Sequence, residues 1–444
     1  MESGGFDIIT KIIRYGIPVV VGLYYINAYF FFDFTPDSTF LAQQYFTGIA
    51  SPAQWTSPEP AWMFLSHFGA TLGLDKLLVM KVLSLLSSCF VILFSFLLGL
   101  EIIGDRFVAL CVSFSLAVQG WLLQLGPSGS ALPFALALML VSLFFLFRNE
   151  YLLASVFSGV ASLVFWQAGL LVGIIAVDVF INSRDARRAG KVAISILLVL
   201  FGMVVPWLLY AWSTNSGLVP SLVEFGAWPE RGFLFFLFVV LTAVTALGSL
   251  FPLEKSREEI LKFIPLLLLV GLFLVFGAAS QTVDLYYLTL PAVTILGFNG
   301  MRRFLEQSGR QRSVMVFSLL LTTLIVLVNQ IQFFGSGQTF IRKTISQNRE
   351  LEEIGVWLKV HLTGESVSAD RNGIVGYFAQ TRVDQGQERP TTHFVVTDQR
   401  NLRGYKEIFS SADAAEIATG ASHFALWECL QTPVSGPPEK KGHQ

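Results

Sequence analysis

Charge is what this sequence has least of. Of its 444 residues only 14% are Asp, Glu, Lys or Arg, where an ordinary soluble domain carries about 25%. Hydrophobic residues make up 53%, and mean hydropathy is +0.62. So much apolar surface cannot be enclosed in a globular interior, which excludes a compact cytosolic enzyme. Cysteine is nearly missing too. Cys89 and Cys111 lie in apolar runs and Cys429 stands alone in the C-terminal part, so that part has no internal disulfide to form. Neither a His-rich nor a paired-acid motif occurs, and no metal-ligand set can be read. With 30 Lys and Arg against 31 Asp and Glu, the net charge gives no reason to invoke nucleic acid. The first apolar run, Tyr15–Phe32, is too long for a signal-peptide core and lacks a small-residue cleavage site. It reads as a retained first helix.

What charge there is sits unevenly. Residues 1–334 hold 18 basic and 18 acidic side chains, while the remaining 110 residues hold 12 and 13. Charge density therefore about doubles near residue 335. The pattern is that of a polytopic membrane protein with a soluble tail.

A helix that crosses the ~30 Å hydrocarbon layer needs about 20 apolar residues. Runs with little or no charge occur at 12–32, 82–100, 107–147, 151–182, 192–213, 232–253, 263–283, 285–301 and 313–334. The run 107–147 is broken at Gly126-Pro127-Ser128-Gly129-Ser130 and predicts a helical hairpin. The 32 residues of 151–182 make either one tilted helix of ~48 Å or two short ones meeting near Trp166-Gln167. The positive-inside rule favours two. With eleven spans and a cytoplasmic N-terminus, the clusters Arg184–Lys191 and Arg302–Arg312 all lie inside, and only Lys76, Lys81 and Arg231 lie outside. The outer segments then carry Asp33, Asp37, Glu59, Asp75, Glu224, Glu230 and Asp284. The tail falls on the extracytoplasmic side.

The first outer loop, 33–75, is long. Thr39–Ile49 is compatible with a short interfacial helix. A second begins at Thr56, where Thr56 and Glu59 have capping-box spacing and Pro58 suits a first turn. Trp55, Trp62, Phe64 and Phe68 suit the headgroup belt. Asp33 and Asp37 stand where the first span leaves the bilayer. They are either helix-end acids in contact with water, or carboxylates in a cleft that serve as general base on a sugar hydroxyl or hold a divalent ion on a phosphate. Glu59 is either the capping carboxylate or a substrate contact, and His67 is read as structural. Lys76 and Lys81 either snorkel to headgroups or bind the phosphate of a lipid-linked substrate. In the loop 214–231, Trp228 is a belt tryptophan or a sugar-stacking ring.

Taken in order, these segments resemble the GT-C membrane glycosyltransferases. The likeness rests on Asp33-Phe34-Thr35-Pro36-Asp37, then Phe40-Leu41-Ala42-Gln43-Gln44-Tyr45, then Thr56-Ser57-Pro58-Glu59-Pro60-Ala61-Trp62. Gly217-Leu218-Val219-Pro220-Ser221 resembles that family's outer-loop Gly-x-x-Pro-Asn, and Asp284–Pro291 its Arg-Tyr-x-x-Pro helix start. Asn372–Phe378 resembles a Gly-x-x-Gly-Tyr turn after the last helix. The resemblance implies transfer of a sugar from a polyprenyl-phosphate donor to an extracytoplasmic glycan, lipid or protein acceptor, in the inner or plasma membrane. It implies Asp37 as the catalytic acid-base residue and Asp33 as its helper, through a metal or by holding the acceptor. Lys76, with Tyr287 as a second candidate, would contact the leaving phosphate. A divalent cation is left open. Where the family has Arg before the Tyr, this chain has Tyr286, and Trp166-Gln167 replaces a basic residue and Pro. Those departures keep a second reading alive, a non-catalytic scaffold subunit of a larger membrane complex. A lipid or solute transporter ranks third, because only Asp178 breaks an apolar run.

The tail predicts a small α/β domain over 335–432 and a disordered end over 433–444. Ser346–Leu362 has the spacing of an amphipathic helix, with Leu351, Ile354, Trp357, Leu358 and His361 on one face. Strands are expected at Ser366–Ala369, Ile374–Phe378, Phe394–Thr397 and Phe424–Trp427.

Overall fold

The computed structural model describes residues 16–28, 60–182, 263–280, 283–307, 313–332 and 338–361, the five strands given below and a few single positions. Asp33, Asp37, Glu59 and Trp228 lie outside the described residues, as do Thr39–Ile49 and 433–444. The chain divides into two compact units, with the boundary in the C-terminal half between Gln338 and Thr339.

The first unit is helical throughout its described length. α1 covers Gly16–Ala28. α2 covers Pro60–Thr71, α3 Lys76–Ile103 and α4 Arg106–Ala117. The short α5, Gly120–Leu125, runs into a 3-10 turn at Gly126–Ser128 and is followed by α6, Leu132–Phe147. The 151–182 run is two helices, α7 at Tyr151–Val164 and α8 at Leu170–Asn182, joined by a 3-10 turn at Trp166–Gly169. α9 is Ile264–Ser280, α10 Val283–Gln307 and α11 Ser313–Gln332.

Local chemistry explains the breaks. α3 starts behind Asp75, whose carboxylate accepts from Leu78 N at 2.9 Å. It ends at Gly104, which takes φ 74° and returns its N–H to Leu100 O, a left-handed cap that suits glycine. The next residue, Asp105, opens α4 by accepting from Phe107 N and Val108 N. Two adjacent residues thus stop one helix and start its antiparallel neighbour. At the same end, the Arg302 guanidinium of α10 donates to the Ile103 carbonyl and pairs with Glu306 at 2.7 Å. Arg148 pairs with Glu101 at 3.5 Å and lies over the Phe144 ring. Between α6 and α7, the Ser142 hydroxyl donates to Ala154 O at 2.6 Å.

Among the described residues, α3 is the helix long and apolar enough to cross a membrane, over Leu77–Ile103. The apolar stretches of α1, α4, α6, α7, α8, α9 and α11 are shorter. Leu78, Val82, Leu86 and Phe90 form an exposed stripe down α3, one residue per turn. Met315, Val316, Leu319, Leu320, Leu324 and Leu327 do the same on α11. Apolar side chains in that number on the outside of an apolar-cored bundle suit a hydrocarbon surround better than water.

The second unit contains α12, Gln338–His361, and a five-stranded sheet. The strands are β1 Val367–Ala369, β2 Val383–Gln385, β3 Phe394–Thr397, β4 Tyr405–Ser410 and β5 Ala425–Cys429. Their order is β2-β1-β3-β5-β4, with β2, β1 and β3 parallel and β5 antiparallel to both its neighbours. Leu351, Ile354 and Leu358 of α12 pack with Val367, Phe394, Val396 and Leu426 into one core. Trp357 stacks on Phe409 at 5.4 Å.

Two expectations need correction here. The stretch Ile374–Phe378 is not a strand, since Val375, Phe378 and Ala379 are helical. The reason is packing: Val375 and Ala379 come one turn apart and face α12, which a strand's alternation would not allow. β2 and β4 were not expected, because both are polar strands at the sheet edges. His361, expected on the buried face of α12, is exposed and stacks on Trp357 at 4.3 Å.

The approach of 375–379 to α12 is so close that Gly355 admits no side chain. A Cβ there would lie 2.7 Å from Phe378 Cβ and 2.9 Å from the Val375 carbonyl. Helix propensity alone would favour alanine by up to about 1 kcal/mol, while overlap with backbone costs about 1–3 kcal/mol. Gly355→Ala is therefore expected to lower the melting temperature of the full-length protein in detergent. An unchanged melting temperature would contradict the packing.

Candidate functional site

The two ends of the helical unit differ in chemistry. The end where α3 stops carries the ion pairs of Arg302 and Arg148, and Arg303 there lies over the Phe263 ring at 4.5 Å. The end where α3 starts carries Asp75, Lys76 and α2. Helix α2 packs on α3 and α7, with Gly69 against the Val79 side chain. Trp62, expected in the headgroup belt, is instead buried, 5.8 Å from the Phe134 ring, with its indole N–H unbonded. Its partners on α6 and beneath α2 remove it from the surface. Phe64 and Phe68 do face outward, stacked at 6.5 Å.

Inside this end lies a cluster of hydroxyls. The Tyr24 hydroxyl of α1 donates to the Leu122 carbonyl of α5 at 2.8 Å. On α3, Ser84 donates to Leu125 O at 3.0 Å and Ser88 to Ser84 O at 3.1 Å, while Ser128 also donates to Leu125 O. Gly126 holds these together by having no side chain. A Cβ there would run into the Tyr24 hydroxyl and come within 3.1 Å of Ser88 Oγ. Helices α1, α3 and the α5–α6 turn are thereby fixed against one another around one point.

Tyr287 enters this cluster from α10. It is 2% exposed and its hydroxyl neighbours Ser88 and Tyr24, yet it makes no hydrogen bond of ordinary geometry. Both neighbours have already given their hydrogens to carbonyls and offer only lone pairs. Pro291, one turn later in α10, has no N–H, so the Tyr287 carbonyl loses its helical donor as well.

Of the six residues singled out from sequence, Asp37, Asp33, Glu59 and Trp228 lie outside the described residues. The backbone of Lys76 is the first residue of α3, and Tyr287 lies in the interior. Ser88, beside Tyr287, is twelve residues beyond Lys76 on α3, a rise of ~18 Å. Lys76 and Tyr287 are thus not brought to one level, and a single phosphate does not span them. The structure adds Tyr24, Ser84 and Ser88, which sequence reading passed over, and sets Gly126, read only as part of a helix break, beside them. The signal was there: Ser84 and Ser88 recur one turn apart on a helix that is otherwise apolar. Among the described residues no three of His, Cys, Asp and Glu come together, so no ligand set for a cation can be named among them.

The cluster makes a contrast that stability measurements can read. Tyr24→Phe removes a made hydrogen bond and is expected to cost about 1 kcal/mol. Tyr287→Phe removes an unmade one and is expected to cost nothing or to stabilise. Thermal unfolding of the purified variants checks this, and equal losses would contradict it.

No protein-family model and no curated protein matches the sequence. Among solved structures, the crystal structure of ArnT from Cupriavidus metallidurans bound to undecaprenyl phosphate matches with a TM-score of 0.57 at 13% identity. The match covers 98% of this chain and 100% of that one. A likeness that runs the whole length of both chains is a likeness of architecture, and the fold of this protein is that of the GT-C glycosyltransferases.

Proposed function

We propose that this protein is a membrane glycosyltransferase that moves a sugar from a polyprenyl-phosphate donor to an extracytoplasmic acceptor. The observation that carries the reading is the fold likeness over the whole chain to a protein solved with undecaprenyl phosphate. The ordered motifs of the first outer loop support it from sequence, as do the exposed apolar stripes of α3 and α11. In this reading eleven helices span the membrane, the N-terminus is cytoplasmic, and the domain from about residue 335 is extracytoplasmic.

The reaction assigns the residues their parts. An acceptor hydroxyl attacks the anomeric carbon, its proton passes to the Asp37 carboxylate, and the bond from that carbon to the phosphate oxygen breaks. The electron pair leaves with the polyprenyl phosphate. Asp33 steadies the acceptor, or would be the residue to hold a divalent cation, which would supply charge neutralisation for the leaving group. Lys76, the first residue of α3, is assigned to offset the charge that develops on the leaving group. Glu59 is assigned a contact to the substrate, and Trp228 offers a ring for the sugar face. Tyr287 serves as a buried hydroxyl rather than as a partner of Lys76.

The scaffold reading is favoured by one observation, the burial of Tyr287 with Tyr286 in place of the family's arginine. A turnover assay separates the two. Purified protein with lipid extract from its own membranes is expected to release polyprenyl phosphate. Asp37→Asn is expected to lower release by about 100-fold or more with the melting temperature unchanged. Release that Asp37→Asn does not affect would overturn the assignment of the acid.

A further inference from the structure

One buried donor has no part in the reaction as written. The Tyr287 hydroxyl is fully enclosed and makes no hydrogen bond of ordinary geometry, an arrangement that costs free energy in an apolar surround. An acceptor is at hand in its neighbour Ser88. Ser88 Oγ has given its hydrogen to the Ser84 carbonyl and keeps its lone pairs. Tyr287 belongs to α10 and Ser88 to α3, and these two helices pack on each other. A small change in how they meet is enough to close the gap.

The outer turns of α10 are loosely tied to the rest of that helix. Pro291 lies inside it and offers no N–H to the Tyr287 carbonyl. The Thr294 hydroxyl bonds back to the Leu290 carbonyl at 2.8 Å, a contact that bends helices. Two such features within one turn mark the point where α10 can tilt. Residues 287–290 are themselves buried, so the movement is a slide of packed helices rather than an opening.

We propose that Tyr287 is a positioning residue: its hydroxyl donates to Ser88 only as the reaction reaches its transition state, drawing the outer turns of α10 against α3. The inference rests on the transferase reading above and adds no contact to substrate. A hydrogen bond unmade in the free protein and made in the transition state lowers the barrier without tightening ground-state binding. Ser88 accepts without giving up its own bond to the Ser84 carbonyl, so nothing must break for this one to form. Because α3 begins at Lys76, the bond also steadies the helix that carries the cation assigned to the leaving group.

Steady-state release of polyprenyl phosphate by the full chain in detergent tests this, with the amount of lipid extract varied. Tyr287→Phe is expected to lower kcat about 10-fold. The half-saturating amount of extract stays as in wild type, and the melting temperature is unchanged or raised. Ser88→Ala removes the acceptor and is expected to lower kcat by the same factor, with no further loss in the double variant. Wild-type kcat in Tyr287→Phe overturns the proposal and leaves the transferase reading standing. A higher half-saturating amount at unchanged kcat does the same, because the hydroxyl then serves binding. Losses that multiply in the double variant, or a lower melting temperature in Tyr287→Phe, overturn it too. A wild-type protein that releases no polyprenyl phosphate overturns both.

Discussion

The structure depends on satisfying polar groups where no water can do it. In an apolar surround an unpaired N–H, C=O or hydroxyl costs far more than in a soluble core. The helical unit meets this with hydroxyls that donate to nearby carbonyls, as Ser142, Ser84 and Ser128 do. The bond from Tyr24 to Leu122 O joins positions 98 residues apart in sequence. Because Gly126 leaves no room beside it, that bond sets the distance between α1, α3 and the α5–α6 turn. The cluster that Tyr287 joins is a consequence of this junction.

The same economy separates the ends of the bundle. Arginines close the end where α3 stops, tying Ile103 and Glu101 to α10 and α6. Paired charges there leave the interior to hydroxyls.

Much of the helical unit was legible in sequence because length and breaks decide it. The runs 82–100 and 107–147 are separate in sequence, and the structure puts the helix stop and cap of Gly104-Asp105 between them, while Gly126-Pro127-Ser128 breaks the long run at 107–147. For 151–182 the charge count chose two helices, and two helices are present. What composition cannot show is which face of a helix turns inward. Trp62 and Lys81 both carry groups that like an interface, yet both are buried by partners distant in sequence. In the C-terminal unit, strands with β-branched or aromatic runs were readable at Phe394–Thr397 and at Phe424–Trp427, the latter found at Ala425–Cys429. Val375 was misread because one apolar turn of helix and one short strand look alike over five residues. The candidate site was legible only as residue types in order. The burial of Tyr287, about three turns along α3 from Lys76, comes from α10 packing on α3, which no local pattern encodes.

The central claim is that a polyprenyl phosphate binds at the end of the bundle where α3 begins. Photo-crosslinking tests it most directly, using a polyprenyl phosphate with a photoreactive group next to the phosphate and mapping the modified peptides by mass spectrometry. The account predicts saturable labelling of the first outer loop and the first turns of α3, displaced by unlabelled undecaprenyl phosphate. Labelling confined to the exposed stripe of α11, without saturation, would mean that the lipid merely bathes the protein and would contradict the account.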